Sequence, residues 1–566
     1  MEDHNLSSVP LLSSSNNSSD DDESHFILTI PDENPPPQSS SHQHHQIQIS
    51  NGHHLISCNG TERNFDGVNP FSFLGANGFE MPEPGTIDPF RNNTPKIEGL
   101  YEWLKIAVCL PVALLRLVLF GLCLMVGYVA TLCALHGWKD KDNPMPRWRC
   151  RLMWVTRLCA RWILFAFGYQ WIKRKGRPAP REIAPIVVCN HVSYIDPIFF
   201  FYELFPTIVA SESHDSMPFV GTIIRAMQVI YVNRFSQSSR KNAVNEIKRK
   251  ASSDQFPRVL LFPEGTTTNG RVIISFQLGA FIPGYPIQPV IVRYPHVHFD
   301  QSWGNISLAM LMFRMFTQFH NFMEVEYLPV VSPLENMKEN AVQLARRTGH
   351  VIATALNVVQ TLHSYGDMLL CSKASEFKQE KPSLYMVEMA WVQSHFHLST
   401  FEAVDLLHVF LLMNPDSSGR VEIDDFLKVL GLKLCSITVK IFEFIDVKKT
   451  GKITFKQFLL GSAHILKQPL FLHACELAFA ECDVNGKNYI SEQELQDSVA
   501  PAMPNLSAEE VHRLFALFDT DSDGKISKED FFSCLRRNPL LLAIFSPQIS
   551  RRNLLKPSHR TPEENV

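Results

Sequence analysis

Ile186-Val187-Val188-Cys189-Asn190-His191-Val192-Ser193-Tyr194-Ile195-Asp196-Pro197 decides the fold. The run that opens it is apolar on consecutive positions, the pattern of a strand buried on both faces, as in a parallel sheet. It breaks into a polar turn holding a His and an Asp five residues apart. Working outward, three more short apolar runs follow: Val229-Ile230-Tyr231-Val232, Val259-Leu260-Leu261-Phe262 and Val290-Ile291-Val292. Helix-length segments and Gly/Pro punctuation separate them, so residues 180–330 read as α/β. A carboxylate folded back onto an imidazole fixes its tautomer and steadies the imidazolium formed when it takes a proton. Alone the pair decides nothing. With 22 His in the chain and any one acidic type at roughly 5% of positions, about one such spacing arises by chance.

Three further blocks change that. The second apolar run ends in Asn233-Arg234, an Arg placed to grip a phosphate. The third ends in Phe262-Pro263-Glu264-Gly265-Thr266-Thr267-Thr268-Asn269-Gly270, a turn whose N–H groups and hydroxyls can hold a phosphate. Tyr285-Pro286-Ile287-Gln288-Pro289 enters the fourth run.

In this order the blocks resemble the glycerolipid, or PlsC-like, acyltransferase superfamily over about residues 180–300. Asn190, His191 and Asp196 match Asn-His-x4-Asp. Arg234 closes the second block, where Gln228 stands at a common Gly position. Phe262 to Thr266 match the third in full, and Pro289 the fourth. The resemblance implies that His191 is a general base on the acceptor hydroxyl and that Asp196 orients it. Asn190, Arg234, Glu264, Gly265 and Thr266 would bind substrate. The hydroxyl would attack an acyl-CoA thioester directly, which agrees with the lack of a GxSxG nucleophile elbow; no catalytic metal is expected. Relatives that use lysophosphatidate often carry a basic residue after Glu-Gly-Thr, whereas here it is Thr267. A diester headgroup with one charge needs one cation fewer than a monoester, so the expected acceptor is a lysophosphatidylethanolamine or lysophosphatidylcholine. A glycerol-3-phosphate or lysophosphatidate acyltransferase, and an inactive membrane calcium sensor, are the rival readings.

The 566 residues carry Lys+Arg 53 and Asp+Glu 57, a net charge of −4, which gives no basic face for nucleic acid. Charged residues are 19%, below the ~25% of ordinary soluble domains, and point to a lipid bilayer. Leu117 to Leu135 hold no charge, close to the ~20 residues that cross hydrocarbon. Pro111 and Arg116 predict irregular first turns. Lys139, Lys141, Arg147, Arg149, Arg151, Arg157 and Arg161 follow, so that side is expected to face the cytosol. Leu152 to Ile172 reads as an interfacial amphipathic helix, and Ile306 to Phe319 as a core or membrane-surface helix. The twelve Cys form no CxxC pattern, which fits a reducing compartment. The expected location is the endoplasmic reticulum membrane, with Golgi or late endosome as the alternative.

The last third carries acidic loops at EF-hand spacing, with oxygen ligands at loop positions 1, 3, 5, 7, 9 and 12 and Gly at 6. Asp519, Asp521, Asp523, Lys525 (carbonyl), Ser527 and Asp530 fill the best of them, an expected Ca2+ site. Asn414, Asp416, Ser418, Arg420, Glu422 and Asp425 make a weaker candidate. The loops at Asp446 and Asp483 place Lys448 and Lys487 at ligand positions, which argues against metal. Joined EF-hands resemble the lysophospholipid acyltransferase branch with calcium-binding tails. The expected architecture is an α/β acyltransferase domain with an N-terminal membrane helix, followed by an all-α EF-hand domain. Its expected parts are a disordered polar tail (1–95, including a His/Gln tract), anchoring helices (100–175), the acyltransferase domain (176–370), a linker (371–394), two EF-hand pairs (395–540) and a C-terminal tail (541–566).

Overall fold

The computed structural model describes residues 69–79, 81, 87–138, 143–334 and 339–551. The His/Gln tract, Lys139, Lys141 and residues 552–566 lie outside them. The chain opens with α1 (Leu100–Leu135) and α2 (Arg147–Ala166). The α/β region follows as β1 (Ile172–Lys175), β2 (Ile186–Cys189), α3 (Ile195–Glu203), β3 (Thr207–Ser211), α4 (Val220–Ala226), β4 (Ile230–Val232), α5 (Gln237–Ser252), β5 (Val259–Leu261), β6 (Val272–Ile273), β7 (Ile287–Arg293), α6 (Leu308–Phe316), β8 (Met323–Tyr327), α7 (Ala341–Leu356) and β9 (Val359–Gln360).

Seven strands form one sheet in the order β1-β8-β7-β2-β5-β3-β4. β2 is central and parallel to both neighbours, with Val188 opposite Leu261 of β5 and Pro289 of β7. Its residues are fully buried, as the continuous apolar run requires. β7 and β8 are antiparallel. The β2–β7 ladder ends at Cys189↔Val290. The Asn190 amide then supplies one more rung, accepting from Val292 N–H at 2.8 Å and donating to Val292 C=O at 3.0 Å.

α1 runs without a break through Pro111. The missing proline N–H forfeits one helical bond, and the helix continues on both sides of it. It is long and apolar enough to cross a membrane by length and composition. Its charged side chains, Glu102, Lys105 and Arg116, turn toward the α/β region. Lys105 donates to Gln318 (2.9 Å) and pairs with Glu102 (2.6 Å). Arg116 donates to the carbonyls of Phe316, Gln318 and Phe319. Leu104, Val108, Leu115, Val118 and Leu122 are exposed on the rest of the helix, as are Trp154 and Trp162 of α2. The two helices pack where Gly127 lets Cys159 approach: a Cβ there would sit 3.3 Å from Cys159 Cβ. The stretch expected to stay helical to Ile172 instead ends at Ala166, and Ile172 begins β1.

The C-terminal region is helical: α8 (Tyr365–Glu376), α9 (Met389–Phe396), α10 (Thr400–Leu412), then loop-linked helices α11 (Ile423–Val429), α12 (Ser436–Ile445), α13 (Phe455–Leu466), α14 (Phe471–Cys482), α15 (Glu492–Val499), α16 (Ala508–Phe518), α17 (Lys528–Arg537) and α18 (Ser546–Arg551). Two small antiparallel ribbons tie the acidic loops in pairs: β10 (Arg420–Glu422) with β11 (Lys452–Thr454), and β12 (Tyr489–Ile490) with β13 (Ile526–Ser527). Val421 faces Ile453 and Ile490 faces Ile526 at the ribbon centres.

The expected boundaries need correction in three places. Residues 371–394 are no linker: Leu370, Ala374, Tyr385, Met389 and Val392 are buried in the helical core. Part of the supposed tail joins the same core, with Phe71 against Phe444 at 4.9 Å between ring centroids. Leu540 to Phe545 are buried there as well, so the folded region runs past 540. In the first two cases a few large apolar anchors inside polar surroundings supply the burial, and in the third a continuous apolar run does.

Candidate active site

Parallel strands deliver their following loops to one edge of the sheet, where α/β proteins bind ligands. β2 delivers His191, β4 delivers Arg234, β5 delivers Glu264 to Thr268, and β7 delivers Tyr294. His191 and Asp196 meet: Nδ1 lies 2.9 Å from Asp196 Oδ2. Asp196 is fully buried in the first turn of α3, where the helix dipole favours a carboxylate. The same Oδ2 accepts from Val192 N–H (2.8 Å) and Ser193 N–H (3.0 Å), and Oδ1 accepts from the Tyr294 hydroxyl. With Nδ1–H donating to Asp196, the Nε2 lone pair is available. Nε2 has no protein partner among the described residues. The imidazole stacks on Phe262 at 4.1 Å between centroids, and its side chain is 18% exposed. The arrangement is a held base with one open nitrogen.

Tyr294 is the residue the sequence reading missed. It lies 98 positions from Asp196, and only the β2–β7 register brings it close. Burial and the neighbouring Asp196 carboxylate push its phenol well above the ordinary range, so it is a hydrogen-bond donor at every working pH.

The Phe-Pro-Glu-Gly-Thr loop lies against the His turn. Glu264 is fully buried and accepts from His191 N–H at 2.9 Å. Thr268 N–H donates to His191 C=O at 2.7 Å. Gly265 has φ +76°, and a Cβ there would stand 3.3 Å from Gln277 Cγ. Thr266 is 8% exposed. Arg234 sits with its guanidinium 4.6 Å from the centroid of the Tyr365 ring, and Tyr365 Cβ is 3.7 Å from the Cβ position of Gly265. Arg234 and Gly265 therefore share one wall. Asn190 does not face this space: it is buried, and both ends of its amide are held by Val292. Its assignment to substrate binding is corrected to holding β2 on β7.

Burial pushes the Glu264 carboxyl up to about 8, against the opposing pull of the His191 and Ile274 N–H groups and the Thr268 hydroxyl. A raised acid in the folded state means that the folded chain binds more protons than the unfolded one between the usual carboxylate range and pH 8. Stability then falls as pH rises through that window. Glu264→Gln keeps an oxygen for His191 N–H and has no proton to lose. The melting temperature of the variant is expected to fall less than that of the wild type between pH 5 and 8; parallel pH profiles would refute this.

In the C-terminal loops, Asp519, Asp521 and Asp523 each offer an oxygen within 4.8 Å of the others. Gly524 takes φ +82° at the turn, and Asp530 accepts from Ser527 Oγ at 2.5 Å. This donor set of hard oxygens suits Ca2+. The loop from Asn414 to Asp425 differs. The Lys452 ammonium of the neighbouring loop lies 3.2 Å from Asp416 and 2.8 Å from Glu422, two of its intended ligands. Asp416 Oδ1 also accepts from Ser418 and Arg420, and these bonds hold its carboxyl well below the usual range. Lys452 thus reaches two carboxylates of the loop that the sequence offers as a weaker metal site, with Asn414, Ser418, Arg420 and Asp425. In the third loop Lys487 lies 3.0 Å from Glu494.

An α/β sheet that carries at its strand ends a base held by a carboxylate, with Arg234 and Gly265 on one wall, has the arrangement of an acyltransferase of the α/β class. The acyltransferase family matches residues 160–293, and an EF-hand domain pair matches residues 473–535. The chain is 67% identical to the lysophospholipid acyltransferase LPEAT2 of Arabidopsis thaliana, over 86% of this chain and 90% of that one. It is 30% identical to lysophosphatidylcholine acyltransferase 2 of Mus musculus, over 78% and 80%. The crystal structure of the PlsC acyltransferase from Thermotoga maritima aligns over 43% of this chain and 94% of that one, with 17% identity and a TM-score of 0.33. The chain belongs to the lysophospholipid acyltransferase family.

Proposed function

We propose that the enzyme moves an acyl chain from acyl-CoA to the free hydroxyl of a lysophosphatidylethanolamine or lysophosphatidylcholine. The observation that carries this reading is the His191 ring, bound through Nδ1 to Asp196 and open at Nε2. Nε2 takes the hydroxyl proton as the oxygen attacks the thioester carbonyl. The C–S bond then breaks, and the proton passes to the departing CoA thiolate. Asp196 keeps its charge and steadies the imidazolium between the two transfers. Arg234 has no carboxylate partner among the described residues and supplies one cation for the acceptor phosphate.

One cation matches a diester, and Thr267 adds none. A panel of lysolipids assayed with one acyl-CoA is expected to show faster acylation of the ethanolamine or choline lysolipid than of lysophosphatidate. Preference for lysophosphatidate would overturn the headgroup assignment.

The exposed apolar residues of α1 and the tryptophans of α2 would seat the enzyme in the bilayer. The proposed setting is the endoplasmic reticulum membrane, with the acyltransferase and EF-hand regions toward the cytosol. The basic residues after α1 support that orientation.

Asp519, Asp521, Asp523, the Lys525 carbonyl, Ser527 and Asp530 would hold one Ca2+. The lysine ammoniums in the first and third loops remove competing sites. Calorimetric titration of the full chain is expected to give one Ca2+ per chain, lost in Asp519→Ala. Two or more equivalents would contradict the lysine assignment.

A further inference from the structure

Tyr365 is the first residue of α8, a helix whose later residues Leu370 and Ala374 are buried in the C-terminal helical core. The start of α8 is held at the acyltransferase sheet. β9, just before it, pairs with β6, just after the Phe-Pro-Glu-Gly-Thr loop, and His363 C=O accepts from Ser275 N–H at 2.8 Å. At its other side Asp367 is fully buried and accepts from Val387, Glu388 and Met389 N–H at 2.8–2.9 Å. The first turn of the helix is therefore held from both sides, by the sheet region through β9 and His363 and by the helical region through Asp367.

Its first ring lies under the Arg234 guanidinium. The next residue of that turn, Phe235, meets Phe401 of α10 at 5.7 Å between centroids. The Arg234-Phe235 turn is thus bounded by two aromatic side chains, both from the helical region. Among the described residues no carboxylate aims the guanidinium. The flat face of Tyr365 does, and a cation over an aromatic face is attracted by the ring quadrupole.

We propose that Tyr365 is a positioning residue for acceptor binding: it holds Arg234 toward the acceptor phosphate, and through it the C-terminal helical region sets the affinity for lysophospholipid. This rests on the reading of Arg234 as the phosphate ligand. Tyr365→Leu keeps bulk but removes the ring face, and Tyr365→Phe keeps the face. The Leu variant is expected to raise the lysophospholipid KM about 2- to 30-fold, the span of a cation–π contact from exposed to desolvated. Its kcat and its KM for acyl-CoA should stay at wild-type values, and the Phe variant should restore the lysophospholipid KM. Melting temperature and Ca2+ titration confirm that the Leu variant is folded; if it is not, Tyr365→Met replaces it.

Arg234→Ala is run in parallel. If it raises the lysophospholipid KM and Tyr365→Leu does not, the positioning role is overturned while the phosphate reading stands. If Arg234→Ala leaves that KM unchanged, both fail. In the double variant the effects should not add, because removing the guanidinium removes what the ring positions. Additive effects would also overturn the proposal.

Discussion

His191→Ala is expected to lower kcat by about 10²–10⁴-fold, the usual contribution of a positioned general base. The fold should survive. The ring is only partly buried, and Asp196 keeps its bonds to Val192 N–H, Ser193 N–H and the Tyr294 hydroxyl. The check is kcat at saturating acyl-CoA and lysophospholipid, together with a melting temperature close to that of the wild type. Unchanged kcat would remove His191 from the chemistry and require another base, whereas no turnover in the wild type would revive the picture of an inactive membrane calcium sensor.

Asp196→Asn is expected to cost a similar 10²–10⁴-fold, for a separate reason. The amide oxygen can take the place of Oδ2 and accept from Val192 and Ser193. The amide nitrogen can donate to the Tyr294 oxygen, whose own proton then loses its acceptor. The charge that stabilises the imidazolium is lost as well. The loss should therefore appear chiefly in kcat, with a smaller fall in stability than in Asp196→Ala. Asp196→Ala, by contrast, strands two buried N–H groups and a buried phenol, each costing about 1–3 kcal/mol. A large fall in melting temperature in Ala but not Asn separates the two roles of the carboxylate. Equal kcat in Asn and wild type would contradict the account.

The strands legible in the sequence are β2, β4, β5 and β7, because each carries an unbroken apolar run; β2, β5 and β7 are buried, and β4 is a half-buried edge strand. β1 and β8 escaped notice. They read Ile-Lys-Arg-Lys and Met-Glu-Val-Glu-Tyr, and their charges look like loop until the register is known. In the sheet those charges pair across strands: Lys173 with Glu324 at 2.8 Å, and Arg293 with Glu326 at 3.1 Å. The His191–Asp196 pair was legible because both residues lie within one turn. Tyr294 and Tyr365 were not, since strand order and the path of α8 bring them in from 98 or more positions away. The bonds of Asn190 to Val292 become visible only with the β2–β7 register. The Asn414 loop shows the same limit, because Lys452 reaches its carboxylates from the next loop.

The central claim is that His191 drives direct transfer, with no acyl group ever resting on the protein. Rapid mixing of enzyme and acyl-CoA, followed by thiol detection, tests it most directly. The account predicts free CoA only when lysophospholipid is present, in step with the diacyl product, and none from His191→Ala. A burst of CoA stoichiometric with enzyme in the absence of acceptor would contradict it.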